Sequence, residues 1–364
     1  MASLARGQGG IAELSRQALP ALRELARERG LALQVHILAD AAPAAGDPLF
    51  AENQDEIRWY AGRRGRFVAG LLQARPGLLL FDHVGLARLH GLVAPLLRRR
   101  YLAMIHSVEI WKSPRADYGR TAHRADLLIA NSAYTARKAR ECYPNLPEIA
   151  VCWPGKDFES SGSDSRSADL AGIGPQAMLI VGRLDAAQRH KGHDHLVEAM
   201  PAVLARVPQA QLVVAGGGDD RPRLEARASE LGVANAVLFT GRVSEPGLHE
   251  LYRRAALFVM PSEGDGFGMV FLEAMMHGLP CVGLAGSAAE EILEGGSCGA
   301  LVDRRDRAGM ADVLAGLLVD ESRRRQLGTA GHDRYLKYFT RAQYSQRLNA
   351  VLGQWLESRL GLQQ

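Results

Sequence analysis

The amino-acid sequence predicts an α/β fold: parallel sheets with helices on both faces, divided between two domains. Short β-branched or leucine-rich runs alternate with helix-period stretches along nearly the whole chain, the pattern that parallel sheets produce. The runs fall into two groups on either side of a segment rich in Ser, Gly and Asp. At 364 residues the chain also exceeds a typical single core.

In the first group the strand candidates are LALQVHIL (31–38), LLLF (78–81), YLAMI (101–105), DLLIAN (126–131) and EIAVC (148–152). In the second they are AMLIVG (177–182), AQLVVAG (210–216), AVLFTG (236–241), ALFVMP (256–261), LPCVG (279–283) and CGALV (298–302). HDHLVEAMPAVLARV (193–207) typifies the helical stretches between them, and 305–359 reads as successive helices. The expected organisation is an N-terminal α/β domain over 1–155, a linker over 156–175, a second α/β domain over 176–340, and a terminal helix over 341–364 that packs back on the first domain. Sheets of this kind begin with a buried central strand. Only residues 1–4 precede the first glycine turn, so that strand is expected to be truncated: either a stub, or the end of a chain that starts upstream of Met1. The second is the favoured expectation.

Composition is ordinary for a globular protein, with 47% apolar and 23% charged residues. Cys142, Cys152, Cys281 and Cys298 stand far apart with no CxxC, which indicates neither a zinc site nor a disulfide framework. No apolar run approaches the ~20 residues of a membrane span, and MASLARGQGG has no apolar signal core. A cytoplasmic protein is expected. Residues 1–155 hold 21 Lys and Arg against 14 Asp and Glu, a net of +7, whereas the remainder holds 23 against 26, a net of −3. RWYAGRRGRF (58–67) and LLRRRY (96–101) set cations beside aromatics, which suits peripheral contact with an anionic membrane; solvated arginines are the plainer reading. No nucleic-acid partner is expected.

The turn GQGGIAELSR (7–16) places Gly9 and Gly10 before a helix whose free N–H groups attract anions. It fails the dinucleotide pattern GxGxxG at Ala12, and AGGGDDR (215–221) fails it at Arg221, so hydride chemistry has little support. VGRLDAAQRHKGHDHL (181–196) puts Arg183 after a buried strand and Lys191 at the next helix start, a fork of donors and a point charge suited to a diphosphate. MIHSVEIW (104–111) sets His106 at a strand's C-terminal end, where open α/β sheets bind ligands, with Glu109 either orienting it or solvated. NSAYTARKA (131–139) reads as a helix start capped by Asn131 or Ser132. In PSEGDGFGMVFLEAMMHGLP (261–280), a Gly-Phe-Gly turn opens a helix. The N–H groups of Gly268, Met269 and Val270 make a phosphate cradle there, Glu273 faces ligand hydroxyls, and Glu263 is solvent-exposed by default.

In this order and spacing the motifs resemble the retaining glycosyltransferases of family four, the glycosyl transferases group 1. The resemblance covers nearly the whole chain and is strongest from Val181 to Gly283. It implies the GT-B architecture, two Rossmann-like domains facing across a cleft. It also implies transfer of a sugar from a UDP- or GDP-linked nucleoside diphosphate sugar to a glycan or lipid-linked acceptor, with the anomeric configuration kept. By motif position Arg183 and Lys191 neutralise the diphosphate leaving group, and His106 approaches the sugar. The family's two acids stand seven residues apart, which pairs Glu273, for the ribose hydroxyls, with Asp265, for the donor sugar. Gly241 and Val243 of FTGRV, with Gly266, Phe267, Gly268, Met269 and Val270, complete the donor pocket, and Gly9 and Gly10 lie near the phosphates and acceptor. No Asp-x-Asp occurs in the chain, so metal-independent catalysis without a cofactor is expected, the departing phosphate helping to deprotonate the acceptor. Asp265 replaces the usual first glutamate, shortening its reach by ~1.5 Å, and CWPGKD (152–157) stands where relatives carry Pro-Asn-Gly. A nucleotide-sugar epimerase, a sugar phosphorylase and a non-catalytic nucleotide-sugar binder are the alternatives. The Arg183/Lys191 and Asp265/Glu273 set argues against the first two.

Overall fold

The structure, a computed structural model, describes residues 1–5, 9–42, 46–50, 56–91, 99–111, 116–157 and 172–360. It divides into two compact units, one comprising Met1–Gly155 with Arg341–Gln364 and the other Lys156–Thr340.

The first unit runs α1 (Gly10–Glu28), β1 (Gln34–Ile37), β2 (Glu56–Trp59), α2 (Arg64–Gln73), β3 (Leu79–Phe81), α3 (Val84–Gly91), β4 (Tyr101–Ile105), α4 (Val108–Trp111), α5 (Ala116–Arg124), β5 (Leu127–Ala130), α6 (Ala133–Cys142) and β6 (Ile149–Val151). β3-β4-β5-β6 form a parallel sheet, and β1 pairs in parallel with β2. Every residue of β4 and β5 is buried, which is why they read as unbroken apolar runs. Residues 1–4 lie beside β1: the Leu38 and Ala39 amides donate to the carbonyls of Met1 and Ala2 at 3.1 and 3.0 Å. On its other side the Ala2 amide donates to the Asp82 carboxylate just past β3, at 2.7 and 3.0 Å. β2 escaped the sequence reading. Among the described residues it pairs only with β1, and two of its four residues are charged, Arg58 opening the stretch that reads as a cationic patch.

The second unit runs β7 (Ala177–Val181), a 3-10 turn (Ala186–Lys191), α7 (His193–Arg206), β8 (Gln211–Ala215), α8 (Arg221–Glu230), β9 (Val237–Gly241), α9 (Glu245–Arg254), β10 (Leu257–Met260), α10 (Met269–Met276), β11 (Cys281–Leu284), α11 (Ala288–Ile292), β12 (Ala300–Val302), α12 (Arg307–Val319) and α13 (Glu321–Tyr338). Its six strands are all parallel, in the order β12-β11-β10-β7-β8-β9. The chain winds outward from β7 in both directions, so the order reverses between β7 and β10. A crevice at such a reversal, at the C-terminal strand ends, is where doubly wound sheets take ligands. After β8 the backbone turns at Gly216 with φ 145°, where an added Cβ would come within 1.8 Å of the Gly182 carbonyl oxygen. Only glycine lets the loops after β7 and β8 approach this closely.

The last helix, α14 (Arg341–Leu360), belongs to the first unit. Tyr344, Leu348, Leu352, Trp355 and Leu356 recur every three or four residues on one face, and they pack with Ala18, Ala21 and Leu25 of α1 over Leu102 and Met104. Lys156 and Asp157 fall in the second unit rather than in a linker. The Lys156 amide donates to the Phe339 carbonyl and its own carbonyl accepts from the Tyr335 hydroxyl, both at 2.9 Å. Most of the expected linker, residues 158–171, lies outside the described residues.

Candidate functional site

In the second unit the two loops flanking the strand-order reversal carry charge toward each other. The 3-10 turn after β7 ends on Lys191, and the loop after β10 carries Asp265. The Lys191 ammonium lies 3.0 and 3.2 Å from the two Asp265 oxygens. Burial raises the Asp265 carboxyl, but Lys191, Ser262 and His190 outweigh it and hold the carboxyl below its ordinary value. Gly192 makes this meeting possible. Its φ is 91°, and a Cβ there would come 2.8 Å from the Pro261 carbonyl oxygen, so the two loops touch backbone to backbone. His193, opening α7, is 3% exposed; burial and then Lys191 push its pKa down to about 4, leaving it neutral around pH 7.

Arg183 follows β7 with a side chain 66% exposed, and its nearest carboxylate is Asp185 at 3.7 Å. It is a cation presented to solvent. Gly268 (φ 105°) precedes α10, whose first residues are Met269 and Val270, so the free N–H groups of a helix start follow Asp265 directly. The Phe267 side chain is 3% exposed and edge-on to Phe339, and Gly266 before it is buried as well. Gly241 ends β9 with φ 70°, its carbonyl taken by the Gly216 amide at 2.9 Å, and Val243 lies half-buried before α9.

Glu273 has partners of its own. Its Oε2 accepts from the Tyr252 hydroxyl at 2.9 Å, and its Oε1 lies 3.8 Å from the Lys156 ammonium. Glu263 pairs with Arg304, so it is tied down rather than merely solvated.

In the first unit, His106 follows β4 and is 6% exposed. Its Nε2 lies 2.6 Å from the Asp82 carbonyl oxygen, which can only accept, so this nitrogen carries the proton. Nδ1 is buried with no hydrogen-bond partner among the described residues. Glu109 does not orient the ring: it accepts from the backbone amides of His106 and Ser107, at 2.6 and 2.9 Å. Ser132 caps α6, accepting from the Thr135 amide at 2.9 Å. Gly9 (φ 95°) and Gly10 open α1, both exposed; Gly7 and Gln8 lie outside the described residues.

Sequence reasoning missed four residues. His83, two residues past β3, stacks on His106 at 6.1 Å and reaches Glu109 at 4.0 Å; the sign that marked His106, a histidine just beyond a strand, was present there too. Tyr252 and Lys156 gave no such sign. Asp220, noticed only in a failed glycine pattern, is 5% exposed and accepts from Arg189 at 2.6 Å and Arg223 at 2.6 Å. With Asp219 accepting from the Ala186 amide at 2.8 Å, it ties the turn that carries Lys191 to the loop after β8. The cationic run splits as well: Arg99 donates to the carbonyls of Leu71 and Ala74, Arg100 to that of Arg359, and Arg98 lies outside the described residues.

Residues 175–320 match the family model described as glycosyl transferases group 1. The chain is 30% identical over 261 residues to a GDP-mannose-dependent alpha-(1-6)-phosphatidylinositol monomannoside mannosyltransferase of Mycolicibacterium smegmatis, covering 66% of this chain and 68% of that protein. This chain belongs to the glycosyl transferases group 1. A D-inositol 3-phosphate glycosyltransferase of Corynebacterium jeikeium is 34% identical over 217 residues, 56% of this chain and about half (52%) of that protein. Anabaena HepE, solved in complex with UDP and glucose, matches with a TM-score of 0.72 at 21% identity, over 96% of this chain and 97% of HepE. The fold of this group 1 glycosyltransferase is GT-B, and its class of activity is glycosyl transfer.

The Asp220 pairing gives a pH signature. Hydrogen bonds from Arg223 first, and then Arg189, hold the Asp220 carboxyl well below the carboxylate range against opposing burial. A lowered folded value stabilises above the unfolded pKa of about 4 and is lost as pH falls toward the folded one. Asp220→Asn is expected to cost roughly 1.5–3 kcal/mol at pH 7, with the deficit shrinking below about pH 4. Urea melts at both pH values check this, and equal midpoints at pH 7 would contradict it.

Proposed function

We propose that this group 1 glycosyltransferase moves a sugar from a nucleoside diphosphate sugar to a glycan or lipid-linked acceptor, keeping the anomeric configuration and using no metal. The observation that carries the reading is the Lys191 ammonium fixed against Asp265 where the strand order reverses between β7 and β10. Breaking the bond from the anomeric carbon to the diphosphate oxygen builds negative charge on the departing phosphate. Lys191, the exposed Arg183 and the N–H groups at the start of α10 supply fixed positive potential for it. Asp265 accepts from donor-sugar hydroxyls and Glu273 from the ribose. The acceptor hydroxyl attacks the anomeric carbon from the leaving-group side, and its proton passes to the departing phosphate oxygen. GDP and UDP are the bases to test, since the mycolicibacterial relative is named for GDP-mannose and HepE was solved with UDP.

Both curated relatives named above act on inositol phosphates or lipids built on them, which supports an acceptor bearing a phosphorylated headgroup. Contact with an anionic membrane rests on Arg63, Arg64 and Arg66, all exposed at the start of α2. No helix among the described residues is long and apolar enough to cross a membrane.

Two measurements test this. Saturating UDP or GDP, at about a hundredfold excess over Kd, is expected to stabilise the protein by about 2.7 kcal/mol in a thermal-shift assay. Arg183→Ala or Lys191→Ala should abolish the response; a full response in both variants means the diphosphate binds elsewhere. In liposome co-sedimentation at low salt, anionic vesicles should retain the protein and release it as salt shortens the screening length. The combined variant R63S/R64S/R66S should stay in the supernatant. Equal retention on neutral and anionic vesicles removes the membrane contact.

A further inference from the structure

Glu273 meets a partner at each of its oxygens, neither of them among the candidate site residues read from the sequence. Tyr252, on α9, is 1% exposed, and its hydroxyl donates to Oε2 at 2.9 Å. Its ring stacks on His277, with centroids 5.7 Å apart and planes 15° from parallel, and His277 in turn meets His249 at 2.9 Å. The phenol therefore has little freedom to turn away. Burial, followed by the charge of Glu273, raises the Tyr252 phenol far above its ordinary pKa, so it stays a donor. On the other side the Lys156 ammonium lies 3.8 Å from Oε1. Its backbone is pinned to α13 and the residue that follows it by the Tyr335 and Phe339 bonds, both 2.9 Å, so the side chain reaches Glu273 from a fixed base. The side chains of Lys156 and Glu273 are 15% and 16% exposed, which weakens solvent screening of the pair.

We infer that Tyr252 and Lys156 form a two-point clamp that fixes the Glu273 carboxylate for recognition of the donor ribose hydroxyls. The inference rests on Glu273 being the ribose contact, as proposed above. A carboxylate has about four lone-pair sites. Tyr252 fills one on Oε2 and Lys156 holds the charge at Oε1, so the remaining lone pairs point in fixed directions. Two vicinal hydroxyls then bind to an acceptor pair already in place, without the entropy of freezing a free glutamate. Tyr252 and Lys156 are positioning residues in this account, acting on the nucleoside through Glu273. Lys156 lies in the CWPGKD segment, so the departure from Pro-Asn-Gly noted there gains a purpose.

The test compares binding of UDP and GDP with that of their 2′,3′-dideoxy analogues by titration calorimetry, in the full-length wild type and in Glu273→Ala, Tyr252→Phe and Lys156→Met. The wild type should prefer the ribose form by about tenfold or more, the scale of one hydrogen bond to a charged group. Glu273→Ala should erase that preference. Tyr252→Phe and Lys156→Met should each cut it severalfold while binding the dideoxy forms as the wild type does, and Lys156→Arg should restore it. A merely structural role would weaken both nucleotides alike. If Glu273→Ala keeps the preference, the ribose reading of Glu273 fails and the clamp with it. If Glu273→Ala loses it while Tyr252→Phe and Lys156→Met keep it, the clamp alone is wrong. Equal loss of ribose and dideoxy binding in Lys156→Met also overturns the clamp. Should Tyr252→Phe fail to fold, Lys156→Met and its arginine rescue decide.

Discussion

One ammonium held against one carboxylate, Lys191 against Asp265, organises the candidate site of the second unit. The pair spans the place where the parallel strand order reverses, so each partner arrives on a different loop, one after β7 and one after β10. A cation there serves a phosphate only if it is present, fixed and incompletely neutralised. Asp265 fixes it, and on the proposed reading a diphosphate, with more charge than one carboxylate, would compete for the same ammonium. Arg183, largely exposed after β7, is a second cation that the proposed reading recruits to the same phosphate.

Much of the surrounding structure holds this meeting in place. Backbone contact between Gly192 and Pro261 sets the spacing of the two loops. Asp220, gripped by Arg189 and Arg223, anchors the turn carrying Lys191 from the opposite side. Beyond Asp265, Phe267 drops into the core against Phe339 and aims the start of α10. Glu273, on α10 itself, has an independent support in Tyr252 and Lys156, so the two acids of the motif are positioned by separate networks.

The fold was largely legible in the sequence, because buried parallel strands must be apolar on both faces and so read as continuous runs. β10, all four residues buried, is such a run. β2 is not: as an edge strand it mixes charge with apolar residues. The candidate site was legible where a charged or titratable side chain follows a strand or opens a helix, as with Arg183, His106 and Lys191. It was illegible where the partner is distant in sequence and chemically unremarkable. Lys191 and Asp265 are 74 positions apart, and only the resemblance joined them. Tyr252 looks like any helix residue in LHELYRRAALF, and its hydroxyl gains meaning only from the carboxylate folded against it. Arginines mislead in the opposite direction: Arg99 and Arg100 look like a surface patch yet donate to carbonyls at helix ends, where cations are favourable.

The most direct test of the central claim is a crystal structure of the protein with UDP or GDP bound. The account predicts a β-phosphate oxygen within about 3 Å of Lys191 Nζ, at the C-terminal ends of β7 and β10. A nucleotide bound with its phosphates away from Lys191, and Lys191 still engaged only with Asp265, would contradict it.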